Sequence, residues 1–158
     1  MKARLIASVA LAATVVFGAT GCGLVAPQAT TEKYDPSDGV SANLGDIRLR
    51  NLIVITNEGV DGNLIFTAVN TGSAHSLSIQ FGEDDTTVST VIDGNSSTVF
   101  GGEDADPIAL EGIDATPGSM TTIFVQYGNE TGKEVLVPVL DGSIPPYEEF
   151  VPEASDAE

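Results

Sequence analysis

Few side chains in this sequence have the types and spacing that chemistry needs. There is one histidine, His75, and one cysteine, Cys22. The methionines are Met1 and Met120. A metal held by soft or nitrogen donors would have to draw on His75 and Met120, and two such ligands make a poor Cu(I) site. The plainer role for His75 is a turn or strand-end residue, because turn-forming residues precede it. Two acidic runs, Glu83-Asp84-Asp85 and Glu103-Asp104-Asp106, supply the carboxylate oxygens that Ca²⁺ takes about six to eight at a time. Neither run has EF-hand spacing, and solvated loops are the plainer account of both.

Catalysis finds little to work with. A serine or cysteine nucleophile needs a base to activate it, and the chain offers only His75. There is no G-x-S-x-G elbow, no H-E-x-x-H pair and no glycine run followed by Lys and Ser/Thr. Carboxylate pairs of the glycosidase kind arise by chance among 23 acidic residues, and no tryptophan is present to hold a sugar. Tyr34, Tyr127 and Tyr147 show no spacing that implies a stacking site. The expectation is a protein without enzymatic activity.

The start of the chain gives Cys22 its meaning. Lys2 and Arg4 precede an apolar run over 5–17 that is interrupted only by Ser8 and Thr14, and small residues follow. Charge, apolar core and small-residue exit are the signature of a secretory signal peptide. The run is short for a membrane span, which needs about 20 residues. Ala19-Thr20-Gly21-Cys22 resembles a bacterial lipobox, with Ala19 where Leu is usual. In such a signal the cysteine becomes the lipid-bearing first residue of the mature chain. The alternative is an ordinary signal and a free thiol, a liability outside the cell. Covalent lipid on Cys22 is therefore expected, with no other cofactor. Each buried acyl CH₂ would contribute about 0.8 kcal/mol to membrane anchoring.

Removing 1–21 from 158 residues leaves 137, enough for one domain. Lys2 and Arg4 leave with the signal, so 4 of the 6 basic residues face 23 acids, a formal charge of about −19. Such a surface repels nucleic acid, whose binding depends on Lys and Arg, and it repels anionic lipid. The expected partners are the membrane through the lipid anchor, and an envelope protein or a metal ion.

Residues 22–43 contain Pro27, Pro36 and Gly39 with no sustained apolar period, and read as a lipidated flexible tether. A folded domain is expected over 44–142. Strands are predicted over 46–56, 64–69, 76–81, 87–92, 97–100, 120–127 and 134–140, with a small apolar patch at 108–110. The first carries an irregularity near Asn51 that changes the buried face. In the strand over 120–127, Ile123 and Val125 are set against Met120, Phe124 and Tyr127. Turn clusters punctuate the strands, and no convincing amphipathic helix intervenes. Seven to eight short strands with frequent turns predict an all-β fold, a single antiparallel Greek-key β-sandwich of immunoglobulin-like or cupredoxin-like type. Residues 143–158 read as a Pro-rich acidic tail.

Four segments carry a resemblance: D-I-R-L-R-N-L-I-V-I from Asp46, L-I-F-T-A-V-N-T-G from Leu64, P-G-S-M-T-T-I-F-V-Q-Y-G from Pro117 and V-L-V-P-V from Val135. With the lipobox and tether, they resemble small actinobacterial surface lipoproteins of the LpqE type and, more remotely, periplasmic copper chaperones of the PCu(A)C type. The resemblance implies a sandwich over roughly residues 44–140. Those chaperones hold copper through Met and His residues, and the positions here that could match supply at most His75 and Met120. The expectation is a non-catalytic lipoprotein of the cell envelope, a binding or structural module on the outer face of the membrane. The alternative is a copper- or calcium-binding chaperone-like lipoprotein.

Overall fold

The computed structural model describes residues 2–19, 30 and 34–152. The chain divides into two units, Met1–Tyr34 and Asp35–Glu158. The first holds helix α1 (Lys2–Ala19), whose Leu5, Ile6, Val9, Leu11 and Val15 are all exposed. No helix among the described residues is long and apolar enough to cross a membrane.

The second unit is a β-sandwich with nine strands among the described residues: β1 (Val40–Leu44), β2 (Ile47–Thr56), β3 (Gly62–Asn70), β4 (His75–Phe81), β5 (Thr86–Ile92), β6 (Ser96–Phe100), β7 (Ile108–Leu110), β8 (Met120–Tyr127) and β9 (Lys133–Leu140). One sheet runs β5-β4-β8-β9. The other is built on β2 and β3, with β1 beside β2 and with β6 and β7 beside β3. β9 joins the two. Its first six residues pair with β8, while Val139 and Leu140 pair with Val54 and Ile55 of β2. That last pairing is parallel and every other pair among the described strands is antiparallel, so the expected antiparallel β-sandwich is found with one short parallel pairing added. The core between the sheets takes alternate residues: Leu77, Ile79 and Phe81 from β4, Ile123, Val125 and Tyr127 from β8, and Val135, Val137 and Val139 from β9. Tyr127 thus lies on the Ile123 and Val125 face rather than opposite it.

β2 changes parity at Asn51. Before it, Ile47 and Leu49 point into the central core. After it, Leu52 and Val54 do, and Ile53 and Ile55 turn outward. The cause is a bulge: the register with β3 shifts between Arg50 and Ile53, and Asn51 adopts φ 54°. Ile53 and Ile55 would then be left on the outer surface, and the C-terminal segment prevents it.

Both terminal boundaries move, β1 adding to the central core and the C-terminal segment covering Ile53 and Ile55. The expected tether over 22–43 gives way to structure before residue 44. Asp35, Asp38 and Gly39 bond into the domain, and β1 begins at Val40. Val40, Ala42 and Leu44 alternate in a way that the surrounding Ser, Asn and Gly hide. At the other end, the expected acidic tail is packed as far as Val151. A 3-10 helix (Tyr147–Phe150) lays Tyr147, Phe150 and Val151 over Ile53, Ile55 and Ile65, with Leu140 at the margin. The Tyr147 hydroxyl donates to Asp38 Oδ2 at 2.8 Å, and Asn63 Nδ2 donates to the Phe150 carbonyl at 3.0 Å. Burial, then the neighbouring Asp38 carboxylate, push the Tyr147 phenol up to about 12.

Candidate functional site

β4 and β8 run antiparallel, with Leu77 opposite Tyr127 and Gln80 opposite Phe124. This register puts His75 at one end of the sandwich and Met120 at the other. Seven residues of extended strand separate Met120 from Tyr127, roughly 23 Å at about 3.3 Å per residue. The His75 ring packs on that of Tyr127, with centroids 4.8 Å apart and planes tilted by 43°. His75 and Met120 are therefore not brought together, and no metal ion can touch both.

The acidic candidates belong to the Met120 end. Glu83, Asp84 and Asp85 form the β4–β5 turn and are all exposed. Glu103, Asp104 and Asp106 lie in the β6–β7 loop, also exposed, and Asp104 Oδ2 is already engaged, accepting from the Val99 amide at 3.2 Å. Among the described residues, no group of three or more His, Cys, Asp or Glu side chains is placed to hold a metal ion. Cys22 lies outside the described residues.

The His75 end is the more constructed of the two. Asn70, buried at the end of β3, makes its centre. Its amide nitrogen donates to the carbonyls of Ser73 at 2.7 Å and Asp93 at 2.9 Å, and its Oδ1 accepts from the Gly72 amide at 2.9 Å. One side chain thus ties the β3–β4 turn to the β5–β6 turn. Asn95 adds an amide bond to the Gly72 carbonyl at 3.0 Å. The β1–β2 turn joins through Asp46: its amide donates to the Tyr127 hydroxyl at 2.8 Å, and its carbonyl accepts from the Thr71 amide at 3.1 Å. Gly45 makes that approach feasible, because its φ is 44° and a Cβ there would collide with the Tyr127 oxygen and lie 3.0 Å from Glu130 Cδ.

His75 stands on this latched base, half-buried, with Nε2 3.2 Å from the Ser73 hydroxyl. The polar neighbour at the ring is the Ser73 hydroxyl oxygen, while the Tyr127 ring packs against the imidazole and its hydroxyl accepts from the Asp46 amide. An imidazole with a hydroxyl oxygen beside it suits a borderline ion such as Cu²⁺ or Zn²⁺ better than Cu⁺, which wants thioether or thiolate sulfur. Sequence patterns do not single out Asn70 or Tyr127 for this work. The one signal is that Asn70 opens the Asn-Thr-Gly-Ser turn, where an asparagine side chain readily bonds nearby backbone.

No protein-family model and no curated protein matches the chain. Among solved structures it is similar to a copper-bound PCuAC domain from PmoF2, at 9% identity, covering 65% of this chain and 98% of that one, with a TM-score of 0.50. The chain thus shares the β-sandwich fold of that domain. At that identity the likeness establishes the fold and not the ligands.

Proposed function

We propose that this chain is a non-catalytic binding module of the cell envelope whose ligand is a metal ion, copper foremost, met at the His75 end. The reading draws on the fold shared with a copper-bound domain along nearly that domain's whole length. It draws also on the placement of the single imidazole on a hydrogen-bonded base of three turns. With Met120 at the far end, the ion favoured at His75 is Cu²⁺. The donor set is sparse, so binding is weak and exchange fast. We further take 1–21 as a signal and Cys22 as the lipidated residue that holds the domain at the membrane, in the manner of LpqE-type lipoproteins.

The test is calorimetric titration of the Cys22→Ser chain, which has no thiol to capture copper, with Cu²⁺, Cu⁺ and Ca²⁺ at physiological salt. The expected result is saturable one-to-one Cu²⁺ binding that His75→Ala abolishes and Met120→Leu leaves intact. Absence of saturable binding by any of the three ions would sink the metal reading. A second reading, a module that binds an envelope protein and no metal, would then stand, favoured by the separation of His75 from Met120. For the anchor, the native chain should fractionate with membranes and Cys22→Ser should not; equal partitioning of the two rejects lipidation.

A further inference from the structure

An edge strand shows a row of unpaired amides and carbonyls, and folded proteins usually blunt it by shortness, bulges, charge or cover. Three of the four edges in this sandwich are treated so. β1 is five residues long with an irregular register, and Asp35 Oδ2 accepts from its Ser41 amide at 3.0 Å. β6 is five residues long and is covered by its own following loop. Asp104 Oδ2 takes the Val99 amide, and Phe100 bridges to Ala105. β7 has three residues.

β5 is the exception. It runs seven residues, Thr-Thr-Val-Ser-Thr-Val-Ile, with no charge, proline or glycine. It pairs with β4 through its whole length, without a register shift, and with nothing on its other side among the described residues. Six of its seven residues are β-branched, the composition that best suits a further strand. Ile92 is buried, but the other three inward positions of β5 are incompletely covered. Leu77, Ile79 and Phe81 of β4 are buried, whereas their partners Thr90, Val88 and Thr86 are half-buried or exposed. Another strand beside β5 would bury those positions by extending the core.

We infer that β5 is a docking edge for an extended segment of another protein, added as a fifth strand, with β-branched apolar residues facing inward and Lys or Arg at both ends. The charge argument selects this occupant. Glu83, Asp84 and Asp85 stand before the strand and Asp93 after it, with no basic residue between. A cationic segment meets opposite charge at both ends. A second copy of β5, paired antiparallel about a two-fold axis, would set Asp93 of one chain against the 83–85 turn of the other at both ends. Main-chain hydrogen bonds give such strand addition its affinity, and alternate side chains give its specificity.

The probe is a fluorescent nonapeptide with two lysines at each end of a Val-Thr-Val-Thr-Val centre, titrated into the full chain. The expected result is saturable binding, weakened about tenfold or more on raising salt from about 0.02 to 0.2 M. The same peptide N-methylated at all five central residues should not bind, since neither of its edges can complete the ladder. Amides of β5 should exchange more slowly in the complex, and those of β1 and β6 unchanged. Equal binding of the N-methylated peptide, no binding of the parent, or protection confined to other strands would each overturn the proposal. Sedimentation of the peptide-free chain as a dimer with protected β5 amides would overturn it in favour of a second copy. None of these readouts involves copper, so the result is independent of the metal reading.

Discussion

Asn70 carries more of this structure than its size suggests. Its carboxamide is buried and bonds to two turns at once. Replacing it with alanine removes those bonds and leaves two carbonyls and an amide without their partner. Asn70→Ala should cost roughly 2–4 kcal/mol in denaturant unfolding, since unsatisfied buried groups lose their full desolvation energy. A cost under about 0.5 kcal/mol would mean that water replaces the carboxamide. Tyr147 gives a different residue-level test, in alkali. Its folded value near 12 stands above the ordinary value of 10.0, so the folded state holds its proton more tightly. The stabilisation is complete below pH 10 and is lost as pH rises from 10 to 12. Across that window the native chain should lose stability more steeply than Tyr147→Phe; parallel slopes would reject the raised value that burial and Asp38 give Tyr147.

At the scale of elements, the sequence shows most of the strands and hides the parts that depend on distant pairing. β4 is plain because Leu77, Ile79 and Phe81 alternate with Ser78 and Gln80 between turn residues. The face change in β2 is legible too, since Asn51 interrupts one apolar alternation and starts another. β1 is obscured by Ser41 and Asn43, and the C-terminal strap by prolines and acids around its three apolar anchors. The strap does not declare itself until Ile53 and Ile55 are known to face outward and to need a cover, and β1 depends on its pairing with β2. Ending the chain after Gly142 removes that cover. It should lower stability by roughly 3–6 kcal/mol, from the apolar area returned to water, and raise binding of a hydrophobic dye. An unchanged denaturation midpoint would show that the strap is incidental. The candidate site fails to be legible for a related reason. His75 and Met120 are equally available in the sequence, but the β4–β8 register decides their separation, and nothing local encodes it.

At the scale of the whole molecule, charge dominates. The chain carries a formal −17, and acids crowd the turns at both ends of the sandwich. Self-repulsion opposes the compact state, and screening relieves it: the Debye length falls from about 30 Å at 0.01 M to about 3 Å at 1 M. The melting temperature should rise between about 0.02 and 0.5 M sodium chloride, a salt that avoids the exclusion effects of sulfate. A flat or falling melting temperature would show the charges to be too dispersed to matter. The same field raises the local concentration of cations, which assists either a metal ion at His75 or a cationic strand at β5.

The strand shared by the two sheets also sets a timetable. β9 is the last strand made, and it closes β8 on one side and β2 on the other. A chain growing from its N-terminus cannot complete either sheet until residue 140 has emerged, and cannot cover Ile53 and Ile55 until residue 151 has followed. Its early hairpins can pair as they emerge, but the two sheets are not joined for nearly the whole polypeptide. On the export reading proposed above, that delay is useful: the sandwich locks only after residue 151 has arrived.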